Sequence, residues 1–159
     1  WHVWPDFSRI PDAVRPYMRY QPFAVGETIV LGSRRITPLP ACHAVPAVGF
    51  QLDSGQASLV FTGDTTANDE LWEAINRITN LRYLIIESAF SDVKHDIARR
   101  SGHFYPALLA DELNKLQHDA EIYITHLRQG EAELTMQEIL ARISRFDLRR
   151  LMSNQIFEF

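Results

Sequence analysis

The stretch Leu59-Val60-Phe61-Thr62-Gly63-Asp64-Thr65-Thr66 decides the fold. Its first three residues are of the bulky apolar type that fills a covered β-strand. Gly63 permits a sharp backbone turn where the strand ends. Asp64 therefore falls at the carboxyl end of a buried strand, the edge of an α/β sheet where ligands bind. Asn68 is a suitable N-cap for a helix that starts just after it. An Asp after a Gly is also ordinary turn chemistry, so the weight comes from its company. His43, Glu87 and His126 each sit at or just after another strand-like run, and His103 lies on a loop before a helix.

Upstream of this stretch the period is two. Thr28–Leu31 and Arg35–Leu39 read as short strands around a hairpin-like turn at Gly32-Ser33. Val48, Phe50 and Leu52 alternate with Gly49, Gln51 and Asp53, and residues 57–62 form the partner strand. Downstream the period switches to 3.6. Leu71, Ile75 and Ile78 share one helical face, with Asp69 and Glu70 in the first turn where the helix dipole favours acids. Tyr83–Ile86 is an apolar strand ending at Glu87, and a polar helix is expected over about residues 92–100. Pro106 opens a helix that carries Leu109, Leu113 and Leu116. Ile122–Ile124 is a further strand, ending at Thr125-His126. Thr135 and Glu138 have capping-box spacing, before a helical face of Met136, Leu140 and Ile143.

The first 25 residues differ in kind. Pro5, Pro11, Pro16 and Pro22 are interleaved with Trp1, Trp4, Phe7, Tyr17, Tyr20 and Phe23, which excludes a long helix or a central strand. A loop-rich wrap with aromatics against a surface is expected there. The 159 residues suffice for one domain with its own core, and the composition, 46% hydrophobic and 23% charged, is globular. The formal charge of −4 advertises no nucleic-acid surface. The single cysteine, Cys42, rules out an internal disulfide and fits a cytoplasmic, reducing compartment; it reads as a small buried hydrophobe. No apolar run approaches the ~20 residues of a membrane span. Neither a Gly-rich phosphate loop nor a Gly-x-Ser-x-Gly elbow is present. His2, His95 and His118 fall outside the strand-end pattern.

Taken together, Trp4-Pro5-Asp6-Phe7, Cys42–Phe50, Phe61–Thr65, Ile85–Phe90, Ser101-Gly102-His103 and Ile124–Leu127 resemble the second half of the metallo-β-lactamase superfamily, and within it the class II cyclic-nucleotide phosphodiesterases. The tRNA 3′-processing endonucleases of the same superfamily are similar at His43, Asp64, Glu87, His103 and His126. The fold class implied is α/β: the C-terminal half of an αββα sandwich, one partial domain over residues 1–159, with mixed or antiparallel strands and flanking helices.

The resemblance implies a centre of two divalent metal ions, zinc or alternatively manganese, that share an activated water. His43, Asp64 and His126 match metal ligands, with Asp64 bridging both ions. Glu87 and His103 match a pair that moves a proton to the leaving oxygen, Glu87 orienting His103. Arg128, two residues past His126, is a candidate for contact with substrate phosphate. The implied reaction opens a 3′,5′-cyclic nucleotide to a 5′-monophosphate. Two alternatives stand beside it, an RNA-processing nuclease and a non-catalytic module derived from the fold. The superfamily's His-x-His-x-Asp-His motif is missing, since the chain has no His-x-His. The chain alone is therefore expected to lack a stable dinuclear centre and to be inactive. The apolar residues of 48–52 and 59–61 are expected to be covered by a missing half, a second copy or another segment, or to lie exposed.

Overall fold

The computed structural model describes residues 5–159. Seven strands form one sheet in sequence order: β1 (Ile29–Leu31), β2 (Arg34–Pro40), β3 (Val48–Asp53), β4 (Ser58–Phe61), β5 (Leu81–Glu87), β6 (Glu121–Thr125) and β7 (Leu148–Arg150). Strands β1 to β4 pair antiparallel, because short turns join them. Strands β4 to β7 pair parallel, because each connection is a helical crossover. The sheet changes character at Asp64, where the sequence period changes.

The register separates two faces. Gln51, Val60, Leu84, Ile122 and Leu148 lie in one row across the sheet. This face is covered by α1 (Asp69–Asn76), α3 (Pro106–Leu113) and α4 (Ala132–Arg142). Leu71, Trp72, Ile75, Leu109, Leu113, Met136 and Ile139 join Phe104 and the strand residues in one buried core. The parallel strands read as continuous apolar runs because this core and a second one cover both of their faces.

Several local expectations need correction. Asn68 stands at the N-cap of α1, but its side chain makes no capping bond. Helices α1 and α3 end before Ile78 and Leu116, yet both residues reach the core from the turns that follow. Thr135 lies inside α4 rather than at its start, so it is a buried helical threonine and not half of a capping box. Glu138 instead accepts the Asp92 N–H at 2.9 Å. Leu140 is exposed and Ile139 is buried, because the inward stripe of α4 runs Met136, Ile139, Ile143. The stretch expected as one polar helix is a 3₁₀ turn, Asp92–Lys94, followed by α2 (His95–Ser101).

The opposite face carries Leu59, Tyr83, Ile85 and Tyr123. The chain's own tail crosses it. Phe157 packs edge-on against Tyr83 and Tyr123 at 5.0 and 4.9 Å, and the Leu151 N–H donates to Ile124 O at 2.9 Å. Towards β3 the cover thins: Phe61 is 40% exposed and Phe50 meets Phe23 edge-on at 6.0 Å. The apolar face is thus partly buried by another segment and partly open. Among the described residues of the proline-rich lead-in, Phe23 packs this way, whereas Tyr17 and Tyr20 face solvent. Trp1, His2 and Trp4 lie outside the described residues. No helix among the described residues is long and apolar enough to cross a membrane.

Candidate metal centre

Three loops at the carboxyl ends of the strands are stitched to one another by backbone polar groups. The loop after β2 carries His43, and the loop after β4 carries Asp64. Between them the Cys42 N–H donates to Thr65 Oγ1 at 3.0 Å and the Thr66 N–H donates to Cys42 O at 2.8 Å. His43 Nδ1 lies 3.0 Å from Gly102 O, on the turn that ends α2. Gly102 has a φ of 74° there, and a Cβ on it would stand 3.0 Å from Ala44 N and 3.2 Å from His43 Cα. Only glycine lets the two loops approach this closely.

Glu87 ends β5 with its side chain buried. Its Oε1 lies 2.6 Å from His103 Nδ1 and accepts the Thr65 N–H at 3.0 Å, while Oε2 accepts the Phe104 N–H at 3.2 Å. His126 follows β6 in the left-handed region, with a φ of 59°. This is a costly conformation for a residue with a Cβ, and such positions cluster at functional sites. It sets His126 Nδ1 3.6 Å from Asp64 Oδ1. The His103 ring stacks on His126 at 5.0 Å and lies 4.7 Å from the His43 ring.

The four strand-end residues and His103, from the loop before α3, therefore meet at one place. His43, Asp64 and His103 present donor atoms that all lie within 4.8 Å of one another. Because Nδ1 of both His43 and His103 is engaged by an oxygen, each ring has Nε2 left to offer. Burial, then the neighbouring His43, holds the His103 pKa below its ordinary value, which favours the neutral ring that a metal requires. The donor set, imidazoles around one carboxylate, fits a borderline divalent ion such as zinc, and the carboxylate admits manganese.

Glu87 is pushed up to about 8 by burial, against the pull of two backbone N–H donors and His126. Between its ordinary value of 4.5 and about 8 the folded protein binds more proton than the unfolded chain, so stability falls as pH rises through that window. His103 acts oppositely below its ordinary value of 6.5, so the Glu87 slope stands unopposed above that pH. Metal-free protein is expected to lose urea resistance from about pH 6.5 to 8, and Glu87→Gln to flatten that decline. Parallel pH profiles for the two proteins would show that the hydrogen bonds fully offset the burial of charge.

Arg128 reaches over the Phe90 ring, its Cζ 5.5 Å from the centroid. With Ala89, Phe90, His103, His126 and Leu127 it lines a cleft of about 320 Å³ beside the cluster. Cys42 is exposed rather than buried, because its loop rides over the strand ends. His95 and His118 are engaged elsewhere, by Asp92 O and Asn76 O. Sequence reasoning missed the supporting residues. Thr65, Gly102 and Phe104 each adjoin a candidate residue in sequence and Phe90 lies three residues past Glu87, but only the fold shows which backbone groups face Glu87 and His43.

No protein-family model and no curated protein matches the sequence. Solved structures are similar in fold. The metallo-β-lactamase fold protein YhfI from Bacillus subtilis superposes with a TM-score of 0.71 at 21% identity, over 86% of this chain and 54% of that one. Human tRNase Z, short form, gives 0.53 at 20% identity, over 64% and 38%. A diphosphatase of the PhnP family gives 0.59 at 17% identity, over 86% and 47%. This chain thus spans about half the length of these proteins, and over that span it has the metallo-β-lactamase fold.

Proposed function

We propose that this chain carries part of the active site of a metal-dependent phosphodiester hydrolase, with 3′,5′-cyclic nucleotides as substrates. The observation that carries the reading is the convergence of His43, His103 and His126 on Asp64, with Glu87 buried behind them. His43, Asp64 and His126 would hold divalent metal. When bound, the metal supplies Lewis acidity and an activated water at neutral pH. The chain's own residues do the rest. Asp64, with two oxygens and a negative charge, is suited to hold two cations at once. Glu87 is the positioning residue: it fixes the His103 ring so that Nε2 faces the cleft and can pass a proton to the departing ribose oxygen. Arg128, beside that cleft, is placed to meet an anionic phosphate oxygen.

With His103 kept for the proton, the described residues offer three ligands, His43, Asp64 and His126, fewer than two closed metal sites use. We therefore assign the remaining donors to a polypeptide segment seated on the open apolar face around Phe61. Full turnover needs it. A second reading, an RNA-processing nuclease, is favoured by the likeness to tRNase Z. Titration of the metal-loaded chain separates the two. Cyclic AMP is expected to shift the His103 and His126 imidazole resonances, with weaker binding in Arg128→Ala. Tighter binding of a tRNA precursor at those resonances would favour the nuclease, and no response to either ligand would overturn both readings.

A further inference from the structure

A second cleft adjoins His43, between the loop after β2 and the start of α1. It holds about 600 Å³ and shares no lining residue with the cleft beside Arg128. That volume falls in the ~300–1,000 Å³ range of small-molecule sites. The loops that bound it form one unit with the Asp64 turn, because the Cys42 backbone is bonded to both Thr65 and Thr66. His43 belongs to this cleft and to the metal-ligand cluster at once.

The lining is of two kinds. Ala44, Val45 and Pro46 are a run of exposed apolar residues, Val45 at 60%. The start of α1 contributes Asn68 and Glu70. Asn68 stands at the N-cap, where its side chain ordinarily accepts a backbone N–H of the first turn, yet it makes no such bond. Glu70 is exposed, while Asp69 between them is drawn off to Lys115 Nζ at 2.6 Å. Among the described residues the lining has no Lys or Arg, so nothing there recruits a further anionic group. Apolar walls beside an uncommitted amide and a carboxylate suit a flat, uncharged heterocycle: the walls cover its face and the polar groups meet its edge.

We infer that this cleft is the base subsite for a purine nucleotide and that it prefers guanine. The inference rests on the hydrolase reading: a phosphate on metal held by His43 brings its ribose and base to the cleft that His43 also lines. Val45 and Pro46 then lie against the face of the base. The Asn68 amide donates to the O6 and N7 acceptors of guanine. Glu70 can only accept, and the guanine edge offers N1–H and the 2-amino group together to its two oxygens. Adenine instead turns an acceptor nitrogen, N1, towards that carboxylate. The same two side chains therefore hold one purine and disfavour the other.

The test is a nuclear magnetic resonance titration of the full chain, in the presence of zinc, with cyclic GMP, cyclic AMP, guanosine and methyl phosphate. Cyclic GMP and guanosine are expected to shift the Asn68 side-chain amide and the Val45 methyl resonances, and methyl phosphate only the His103 and His126 imidazoles. Cyclic GMP is expected to bind about 10-fold more tightly than cyclic AMP, and Glu70→Gln to remove that difference. Asn68→Asp keeps an oxygen at the N-cap but no amide donor. It is expected to melt like the wild type and to bind guanosine about 10-fold more weakly. Cyclic GMP that moves His103 and His126 but leaves Asn68 and Val45 unmoved overturns the base subsite and leaves the hydrolase reading standing. Equal affinities in the wild type, Asn68→Asp and Glu70→Gln overturn it as well. Guanosine shifts at Asn68, with both histidines silent to every phosphate, would uphold the base cleft and sink the hydrolase reading.

Discussion

Asp64→Ala is expected to abolish uptake of divalent metal by this chain without unfolding it. The Asp64 side chain is 42% exposed, so its removal leaves no cavity and costs the fold little. It is nonetheless the acid common to the His43–His103 group and to His126, which lies 3.6 Å away. Without it, imidazoles remain and nothing offsets the charge of a bound cation. His103→Ala separates two uses of a single nitrogen. If His103 moves a proton, metal content is retained and turnover of the complete enzyme falls by ~10²–10⁴-fold. We expect that outcome, because the Glu87 contact orients the His103 ring and the proposed ligands His43, Asp64 and His126 all remain in the variant. Metal analysis after dialysis, with calorimetric titration by zinc or manganese, reads both variants. Equal metal loss in the two would place His103 in the ligand set, and full metal retention by Asp64→Ala would sink the site assignment.

The largest loss of stability is expected at the glycines beside Asp64. A Cβ on Gly63 would stand 2.8 Å from Val48 O, and its φ of 64° is strained for any side chain. A Cβ on Gly49 would stand 2.8 Å from Thr62 O and 2.9 Å from Phe61 O. Every opposing atom is backbone, so no side chain can rotate away. Gly63→Ala therefore combines two costs, each about 1–3 kcal/mol: the strained φ and the overpacking. Gly130 serves as the control: it has a φ of 84° but open space around its Cβ position, so Gly130→Ala carries the conformational cost alone. Urea denaturation is expected to rank Gly63→Ala well below Gly130→Ala in midpoint, with Gly49→Ala also below wild type. Coincident curves for the Gly63 and Gly130 variants would mean that the β3 and β4 ends yield without cost. Metal uptake by Gly63→Ala should fall with stability, because the turn that moves is the one that aims Asp64.

The sequence by itself determined the element types, the strand ends and the candidate residues. Alternation through Phe50 and Leu52, apolar runs at Leu59–Phe61 and Ile122–Ile124, and the helical stripe of Leu71 and Ile75 are one-dimensional records of which side of each element is buried. Strand ends are local too, which is why His43, Asp64, Glu87 and His126 could be read as sharing one edge of a sheet. Helix boundaries were less legible, because Ile78, Leu116 and Thr135 follow the core wherever the chain can reach it rather than where a cap would end or begin a helix. Contacts between distant segments were decided only by the tertiary structure. Neither the burial of Glu87 under the Thr65 and Phe104 N–H groups nor the Gly102 carbonyl at His43 has a sequence signal, because each depends on two loops arriving together. The same holds for the tail, whose Phe157 lies on Tyr83 and Tyr123. An apolar face that parallel strands leave open draws whatever apolar segment the chain brings near it, and only the folded path of the chain says which segment that is.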